Sequence, residues 1–158
     1  MTDRFPILIK GEDNAGEFYR KNFGAMFAYV SKRIPEITDE LYKIDDAMKA
    51  GFGWENGPFE IWDAVGVKKG IELIKDLGKE PAAWVNEMLE SGVDSFYDVR
   101  EGDTYYYSIP DKIHKKIPPY TVITILVSGK SKGSILDWLT MLPENTTDLL
   151  SGDQTEWE

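Results

Sequence analysis

Residues 44–67 read IDDAMKAGFGWENGPFEIWDAVGV and place a glycine-rich turn between two segments of helical spacing. Before the turn, apolar residues recur every three or four positions, which predicts a helix that ends in the glycine-bearing segment 51–53. Pro58 suits the first turn of the next helix, because the first N–H groups of a helix have no intrahelical partner. Gly66 suits the end of that second helix. The stretch therefore predicts two helices joined by a short turn that carries several aromatic residues.

Helical spacing continues on both sides of this stretch. Upstream, residues 14–33 form a long amphipathic pattern, in which Asn14 and Glu17 are spaced as a capping box. Downstream, two further patterns end at Gly78 and Gly92. The sequence thus predicts five helices within about the first 92 residues.

The chain changes to β-forming residues beyond the helices. Residues 95–99 and 104–107 flank a glycine-containing turn and predict a hairpin. Residues 120–127 are almost wholly β-branched or apolar and predict a further strand. The expected fold class is mainly α, a five-helix bundle followed by a small extension made of a β hairpin and a strand.

The expected organisation has four parts. They are an N-terminal linker at 1–13, a helical domain at 14–94, a β extension at 95–127 and a C-terminal segment at 128–158 that ends in an acidic tail. The N-terminal residues before Lys10 hold only three consecutive apolar residues, so we expect neither a signal peptide nor a membrane span. The predicted location is the cytoplasm.

Composition excludes several classes of function. The 158-residue chain has a formal net charge of -10, which disfavours nucleic-acid binding because the phosphate backbone would be repelled. It has no cysteine, so a thiol nucleophile and a zinc site with sulfur ligands are ruled out. The one histidine, His114, lies between lysines, and we interpret it as a solvated bystander more readily than as a general base.

The carboxylates and the glycine loops also favour structural interpretations. Glu60 and Asp63 are three residues apart on a predicted helix, a spacing most often found in solvent-facing or capping carboxylates, and no metal site is expected. Residues 128–131, SGKS, follow the predicted strand but lack the earlier glycine of a phosphate-binding loop. The glycines between Gly51 and Gly57 are spaced too widely for a dinucleotide loop and follow a helical pattern.

Residues 44–67 closely resemble the C-terminal helical domain of NAD-dependent 3-hydroxyacyl-CoA dehydrogenases. The shared pattern is an Ile-Asp-x-Ala-Met start, a Gly-x-Gly turn, a Gly-Pro-Phe-Glu segment and an Asp-x-x-Gly end. The likeness covers roughly residues 12–107 and is greatest to the second helical copy of the long bacterial and archaeal enzymes.

The resemblance implies an enzyme of fatty-acid β-oxidation that oxidises a (3S)-3-hydroxyacyl-CoA with NAD. In this family a separate dinucleotide-binding domain holds NAD and the catalytic His-Glu pair. We therefore expect no catalytic residue, no bound cofactor and no turnover by this chain alone. The substrate-facing asparagine of the first helical copy has only an out-of-register counterpart here, Asn22, to which no role is assigned.

The resemblance also implies a role for the turn itself, in the substrate cleft or at a domain interface. The candidate residues are Gly53, Trp54, Gly57, Pro58, Phe59 and Trp62. The expected partners are a dinucleotide-binding domain of the same or a companion chain and a shared acyl-CoA, with a homodimer left open; no nucleic acid or membrane is expected. From the residues alone, core packing of the aromatic patch is favoured over a ligand pocket. The alternatives are a non-catalytic helical interaction or dimerisation module and an independent acyl-CoA-binding subunit.

Overall fold

A computed structural model describes residues 3–119, and in these residues six helices precede a small antiparallel sheet. The mainly α fold with a β extension is confirmed. The helices are α1 (Arg4–Lys10), α2 (Asn14–Lys32), α3 (Leu41–Phe52), α4 (Pro58–Val65), α5 (Val67–Asp76) and α6 (Ala83–Glu90). The strands are β1 (Tyr97–Arg100), β2 (Asp103–Ser108) and β3 (Ile113–Lys116). None of the helices described is long and apolar enough to cross a membrane.

The segment expected to be a linker contains the additional helix α1. Phe5 and Ile9 lie one turn apart on α1, and each is only 7% exposed. The ring of Phe5 packs edge-on against Phe23 of α2, with 5.9 Å between centroids. A helix of seven residues is marginal by propensity alone, so packing against α2 must stabilise it. This dependence on tertiary contacts explains why the local sequence did not reveal it.

The start of α2 differs by one residue from the predicted capping box. Asp13, rather than Asn14, is the N-cap, and its Oδ1 accepts a 2.9 Å hydrogen bond from the backbone N–H of Gly16. The Glu17 side chain instead forms an ion pair with Lys21. The helix itself spans almost the predicted range, because its apolar residues decide its length.

Trp62 of α4 lies at the centre of the core. Its indole stacks on Phe27 of α2 at 4.7 Å between centroids and packs edge-on against Phe96 at 5.0 Å. The buried indole N–H donates to the carbonyl of Val67 at 3.1 Å, so burial leaves no polar atom of the ring unpaired. Gly70 lets α5 pack here, since a Cβ at this position would lie 2.0 Å from Trp62 Nε1.

The sheet has the order β1-β2-β3, and both pairs are antiparallel. The predicted hairpin corresponds to β1 and β2, in which Tyr97 is paired with Tyr106. Strand β3 was not expected, because three of its four residues are histidine or lysine. The predicted strand at 120–127, the SGKS loop and the C-terminal segment at 128–158 lie outside the described residues.

His114 lies on β3. The expectation that its side chain is solvated and has no structural role is wrong, because the ring is partly buried. Its Nε2 lies 3.1 Å from the carbonyl oxygen of Ser95, and its ring packs edge-on against Tyr107 at 6.1 Å. Within the described residues His114 therefore attaches β3 to the segment that precedes β1.

Candidate functional site

An apolar groove of about 640 Å³ opens between α2, α3 and the turn that precedes α4. Cavities of roughly 300–1,000 Å³ with mostly apolar walls are typical small-molecule sites. The apolar side chains that line it are those of Met26, Tyr29, Val30, Ile37, Ile44, Ala47, Met48, Trp54 and Pro58. Three of them, Tyr29, Ile37 and Trp54, are solvent-exposed, so part of the groove wall is in contact with solvent.

Helical spacing explains how the groove forms. Tyr29 and Val30 follow Met26 by three and four residues on α2, so the three share one face of that helix. On α3, Ile44, Ala47 and Met48 are arranged in the same way. Two apolar faces thus line the groove from neighbouring helices.

Arg33 is a positively charged residue that lines the groove. Its guanidinium lies 4.9 Å from the centre of the Tyr29 ring, and one terminal nitrogen pairs with Glu36 at 2.8 Å. Its Nε is buried and has no hydrogen-bond partner among the described residues. A buried donor without an acceptor costs about 1–3 kcal/mol of stability. Lys43 also lines the groove and pairs with Glu40.

Of three of the six candidate residues, Gly53 and Trp54 are exposed in the turn, whereas Pro58, the first residue of α4, is buried. Gly53 ends α3 in the left-handed conformation, with φ of 67°, which favours glycine. Trp54 is 38% exposed and lines the groove together with Pro58. Their assignment to a cleft or an interface stays a prediction.

The other three candidate residues have packing roles in the structure. Phe59 and Trp62 are 0% exposed and belong to the core, so neither presents a side-chain surface to a ligand. Gly57 is buried against α3, and a Cβ at this position would lie 2.3 Å from Asp45 Cγ. The glycine thus permits the close approach of α3 and α4.

Asp45, which sequence reasoning did not single out, is fully buried between α3 and α4. Its Oδ1 accepts from the N–H of Phe59 at 2.9 Å, and its Oδ2 accepts from the N–H of Glu60 at 3.0 Å and the hydroxyl of Tyr97 at 2.9 Å. Burial raises the pKa of Asp45 to about 7, whereas the hydrogen bonds lower it. The carboxylate thus accepts hydrogen bonds from N–H groups at the start of α4 that have no partner within the helix.

Asp63 makes a similar connection from α4 to the sheet. Its two oxygens accept from the N–H groups of Phe96 and Tyr97, both at 2.8 Å. Burial raises the pKa of this carboxyl to about 7. The expectation of a solvent-facing or capping role is therefore corrected for Asp63, because the chain before β1 folds over it. Glu60 does cap, since its carboxylate accepts from the N–H of Gly57 at 2.8 Å.

A sequence signal for Asp45 does exist. The start of α4 has no Ser, Thr, Asp or Asn at its N-cap, which is Gly57, so its backbone N–H groups need acceptors from elsewhere. Asp45 could have been proposed for this purpose, but a helical pattern does not show which carboxylates are buried.

The described residues do not fit a dinucleotide or a metal ion. The three strands are antiparallel, and the glycine turn joins two helices, whereas a dinucleotide crevice needs a glycine loop between a parallel strand and a helix. Across residues 3–119 there is no group of three or more His, Asp and Glu side chains placed to hold a metal.

The fold and the turn define a class of protein. A protein-family model described as "3-hydroxyacyl-CoA dehydrogenase, C-terminal domain" matches residues 23–107, more than half of the chain. This chain therefore belongs to the family of 3-hydroxyacyl-CoA dehydrogenase C-terminal domains, as the sequence resemblance indicated.

Particular relatives agree with this family. The chain is 41% identical over 104 residues to the "Probable 3-hydroxyacyl-CoA dehydrogenase" of Bacillus subtilis, a match that covers 66% of this chain and 13% of that protein. It is 33% identical over 67 residues to the "Putative fatty acid oxidation complex trifunctional enzyme" of Rickettsia prowazekii, covering 42% of this chain and 9% of that protein. The chain thus spans a small part of the curated relatives that it matches. No solved structure matches it.

Proposed function

We propose that this chain acts as the helical domain of a 3-hydroxyacyl-CoA dehydrogenase of fatty-acid β-oxidation. In this role it helps to close the acyl-CoA cleft, contacts a dinucleotide-binding domain that holds NAD, and does not oxidise substrate alone. The observation that carries the proposal is the position of the apolar groove, which lies directly against the family's Gly-Pro turn at Trp54 and Pro58. The names of the relatives supply the reaction class.

The described polar residues support an accessory role. His114 lies beside the Ser95 carbonyl, and the oxygens of Asp45 and Asp63 accept hydrogen bonds from backbone N–H groups. General acid–base catalysis needs a titratable group within reach of the substrate, and these three groups have structural partners instead. We therefore assign hydride transfer to a different domain.

Charge favours contact with the acyl end of the substrate. Coenzyme A carries several phosphate charges, and the chain has a formal net charge of -10, which disfavours holding the nucleotide end. An apolar groove matches the hydrocarbon part of an acyl-CoA instead.

The test is a titration of the 158-residue chain with a medium-chain acyl-CoA, followed by intrinsic tryptophan fluorescence. We expect saturable quenching with the acyl-CoA, little response to free coenzyme A, and no NADH formation from a 3-hydroxyacyl-CoA and NAD. Calorimetry should show that Trp54→Ala weakens acyl-CoA binding about fivefold or more. The matched control is Phe18→Ala, which removes an aromatic ring that is 59% exposed and lies outside the groove. Turnover by the chain alone would overturn the accessory role.

The second candidate function is a non-catalytic interaction or dimerisation module. The exposed side chain of Phe52, next to the groove turn, favours it because a large apolar side chain at the surface fits a protein contact. Sedimentation distinguishes the two functions: a dimer that Trp54→Ala dissociates, without any acyl-CoA response, would support the module. A homodimer and a cytoplasmic location both stay predictions.

A further inference from the structure

We propose that a polar hollow beside the groove binds the pantetheine arm of an acyl-CoA whose acyl chain lies in the groove. The hollow has a volume of about 420 Å³, shares Thr38 and Lys43 with the groove, and extends to Lys115 on β3. This inference deepens the proposed function, on which it rests for the acyl end, by naming the residues that receive the part of the ligand next to the acyl chain.

The hollow lies between the residues at the start of α3 and one face of the sheet. Tyr106 and Lys115 are directly paired across β2 and β3, and Ser108 is two residues further along β2, so the three side chains share that face. The hydroxyl of Tyr106 donates to Glu40 at 3.1 Å, and that of Ser108 donates to Asp111 at 2.5 Å. These hydrogen bonds hold both carboxylates in place, which reduces the side-chain entropy that binding must remove.

The charges around the hollow favour an uncharged ligand. Its lining has two lysines, Lys43 and Lys115, and three carboxylates, Asp39, Glu40 and Asp111. Lys43 is paired with Glu40, and Lys115 is paired with Asp111. A phosphate or a free carboxylate would therefore meet no excess of positive charge among these residues, whereas a neutral polar group meets no repulsion.

The paired side chains are accessible and keep hydrogen-bonding capacity. The side chains of Lys43 and Lys115 are 55% and 44% exposed, and those of Glu40 and Asp111 are 32% and 41% exposed. An ammonium has more N–H donors, and a carboxylate more lone pairs, than one ion pair uses. The amides and the hydroxyl of a pantetheine arm can each donate and accept, so the arm matches both kinds of group.

The order of the two cavities matches the order of the groups in an acyl-CoA. The hydrocarbon chain of such a ligand is joined through a thioester to an uncharged polar arm, and the phosphates follow that arm. An apolar groove here meets a polar hollow at Thr38 and Lys43. A ligand that is hydrocarbon throughout, or that ends in a bare carboxylate, has no group that matches the hollow.

The first experiment compares two thioesters of the same acyl chain by intrinsic tryptophan fluorescence of the 158-residue chain. They are octanoyl-pantetheine and the octanoyl thioester of N-acetylcysteamine, which keeps the thioester and the nearest amide but lacks the rest of the arm. We expect octanoyl-pantetheine to bind about fivefold more tightly or better. Equal affinities would overturn the inference and leave the acyl groove of the proposed function intact.

The second experiment tests whether the hollow causes this preference. Asp39 is exposed and lines the hollow but not the groove, so Asp39→Phe should place a ring in the hollow. It should reduce the preference to about twofold or less and keep the affinity for the shorter thioester. Glu80→Phe is the matched control, since it removes the same charge from an exposed residue that lines neither cavity. Loss of the preference in both variants, or in neither, would overturn the inference.

A parallel titration with octanoyl-CoA separates this inference from the proposed function. We expect octanoyl-CoA to bind within about threefold of octanoyl-pantetheine, because the lining of the hollow offers the phosphates no excess of positive charge. Binding of octanoyl-CoA without a response to either smaller thioester would place recognition at the nucleotide end and overturn the inference. No response to any of the three ligands would remove the acyl-cleft role, and this inference with it.

Discussion

The hydroxyl of Tyr97 donates a 2.9 Å hydrogen bond to the carboxylate of Asp45, although the two residues are 52 positions apart in the chain. Asp45 is on α3 and Tyr97 begins β1, so this contact joins the helical part of the domain to its sheet. The same carboxylate accepts two N–H groups at the start of α4. One buried group therefore determines the relative positions of three elements.

Tyr97→Phe should destabilise the domain by about 1–3 kcal/mol at pH 8, because it removes a donor from a buried carboxylate. Tyr105→Phe is the control, since Tyr105 lies on the neighbouring strand with its ring near Arg100 and should change the free energy of unfolding by less than about 0.5 kcal/mol. Urea unfolding followed by circular dichroism measures both. Equal losses in the two variants would contradict the importance of the Asp45 contact.

The stability of the domain should fall as the pH rises from about 4 to 7. Burial raises the folded-state pKa of Asp45 and of Asp63 from 3.8 to about 7, so the folded chain binds protons more tightly than the unfolded chain. Their contribution is fully present below pH 3.8 and is lost as the pH rises through 7. The slope is at most about 1.4 kcal/mol per pH unit for each carboxyl.

Asp45→Asn should flatten this dependence when the free energy of unfolding is compared at pH 5 and pH 7.5. Asp98→Asn should leave the slope unchanged, because Arg100 holds the pKa of Asp98 below its usual value and this exposed carboxyl is ionised across that range. A slope in Asp45→Asn as steep as in the unmodified chain would contradict the assignment.

Gly70→Ala should destabilise the domain by about 1–3 kcal/mol, because the new Cβ would overlap the Trp62 indole. Gly51→Ala should have the opposite sign and stabilise by about 0.5–1 kcal/mol, since Gly51 is helical and a Cβ there meets no atom within 4 Å. Thermal unfolding of the two variants checks the pair. A gain in stability for Gly70→Ala would show that α5 does not need glycine against the indole.

Ser31→Ala should cost about 1 kcal/mol, because Ser31 Oγ accepts the N–H of Ala82 at 3.1 Å and thereby joins α2 to the segment before α6. Ser91→Ala removes a hydroxyl that bonds within its own helix turn, to the carbonyl of Met88, and should cost less. Urea unfolding of the two serine variants measures the difference. A larger loss for Ser91→Ala would contradict the bridging role of Ser31.

Local patterns sufficed for much of the fold. The apolar spacing of α2 and the Pro58 and Gly66 boundaries of α4 were predictable, because they depend on periodicity and on backbone chemistry that each segment carries itself. Strand β3 was not predictable, since Ile113–Lys116 is mostly basic and becomes a strand by pairing with β2. Helix α1 likewise depends on contacts with α2.

The site was predictable only in part for the same reason. The aromatic and glycine-rich turn was evident, but its sequence did not distinguish Trp54, which lines the groove, from Trp62, which is buried in the core. The groove also needs the α2 face and Arg33, which are distant from the turn in sequence. Such groupings arise from packing between helices and leave no local pattern.

The buried carboxylates of Asp45 and Asp63 have a consequence for how this part of the chain melts. Between them they accept the N–H groups of Phe59 and Glu60 on α4 and of Phe96 and Tyr97 at the sheet. If the sheet separated from the helices, both carboxylates would become exposed to water, and the hydrogen bonds that they accept from Phe96 and Tyr97 would be lost. Residues 3–117 should consequently unfold on heating as one cooperative unit, with the calorimetric and van't Hoff enthalpies in agreement.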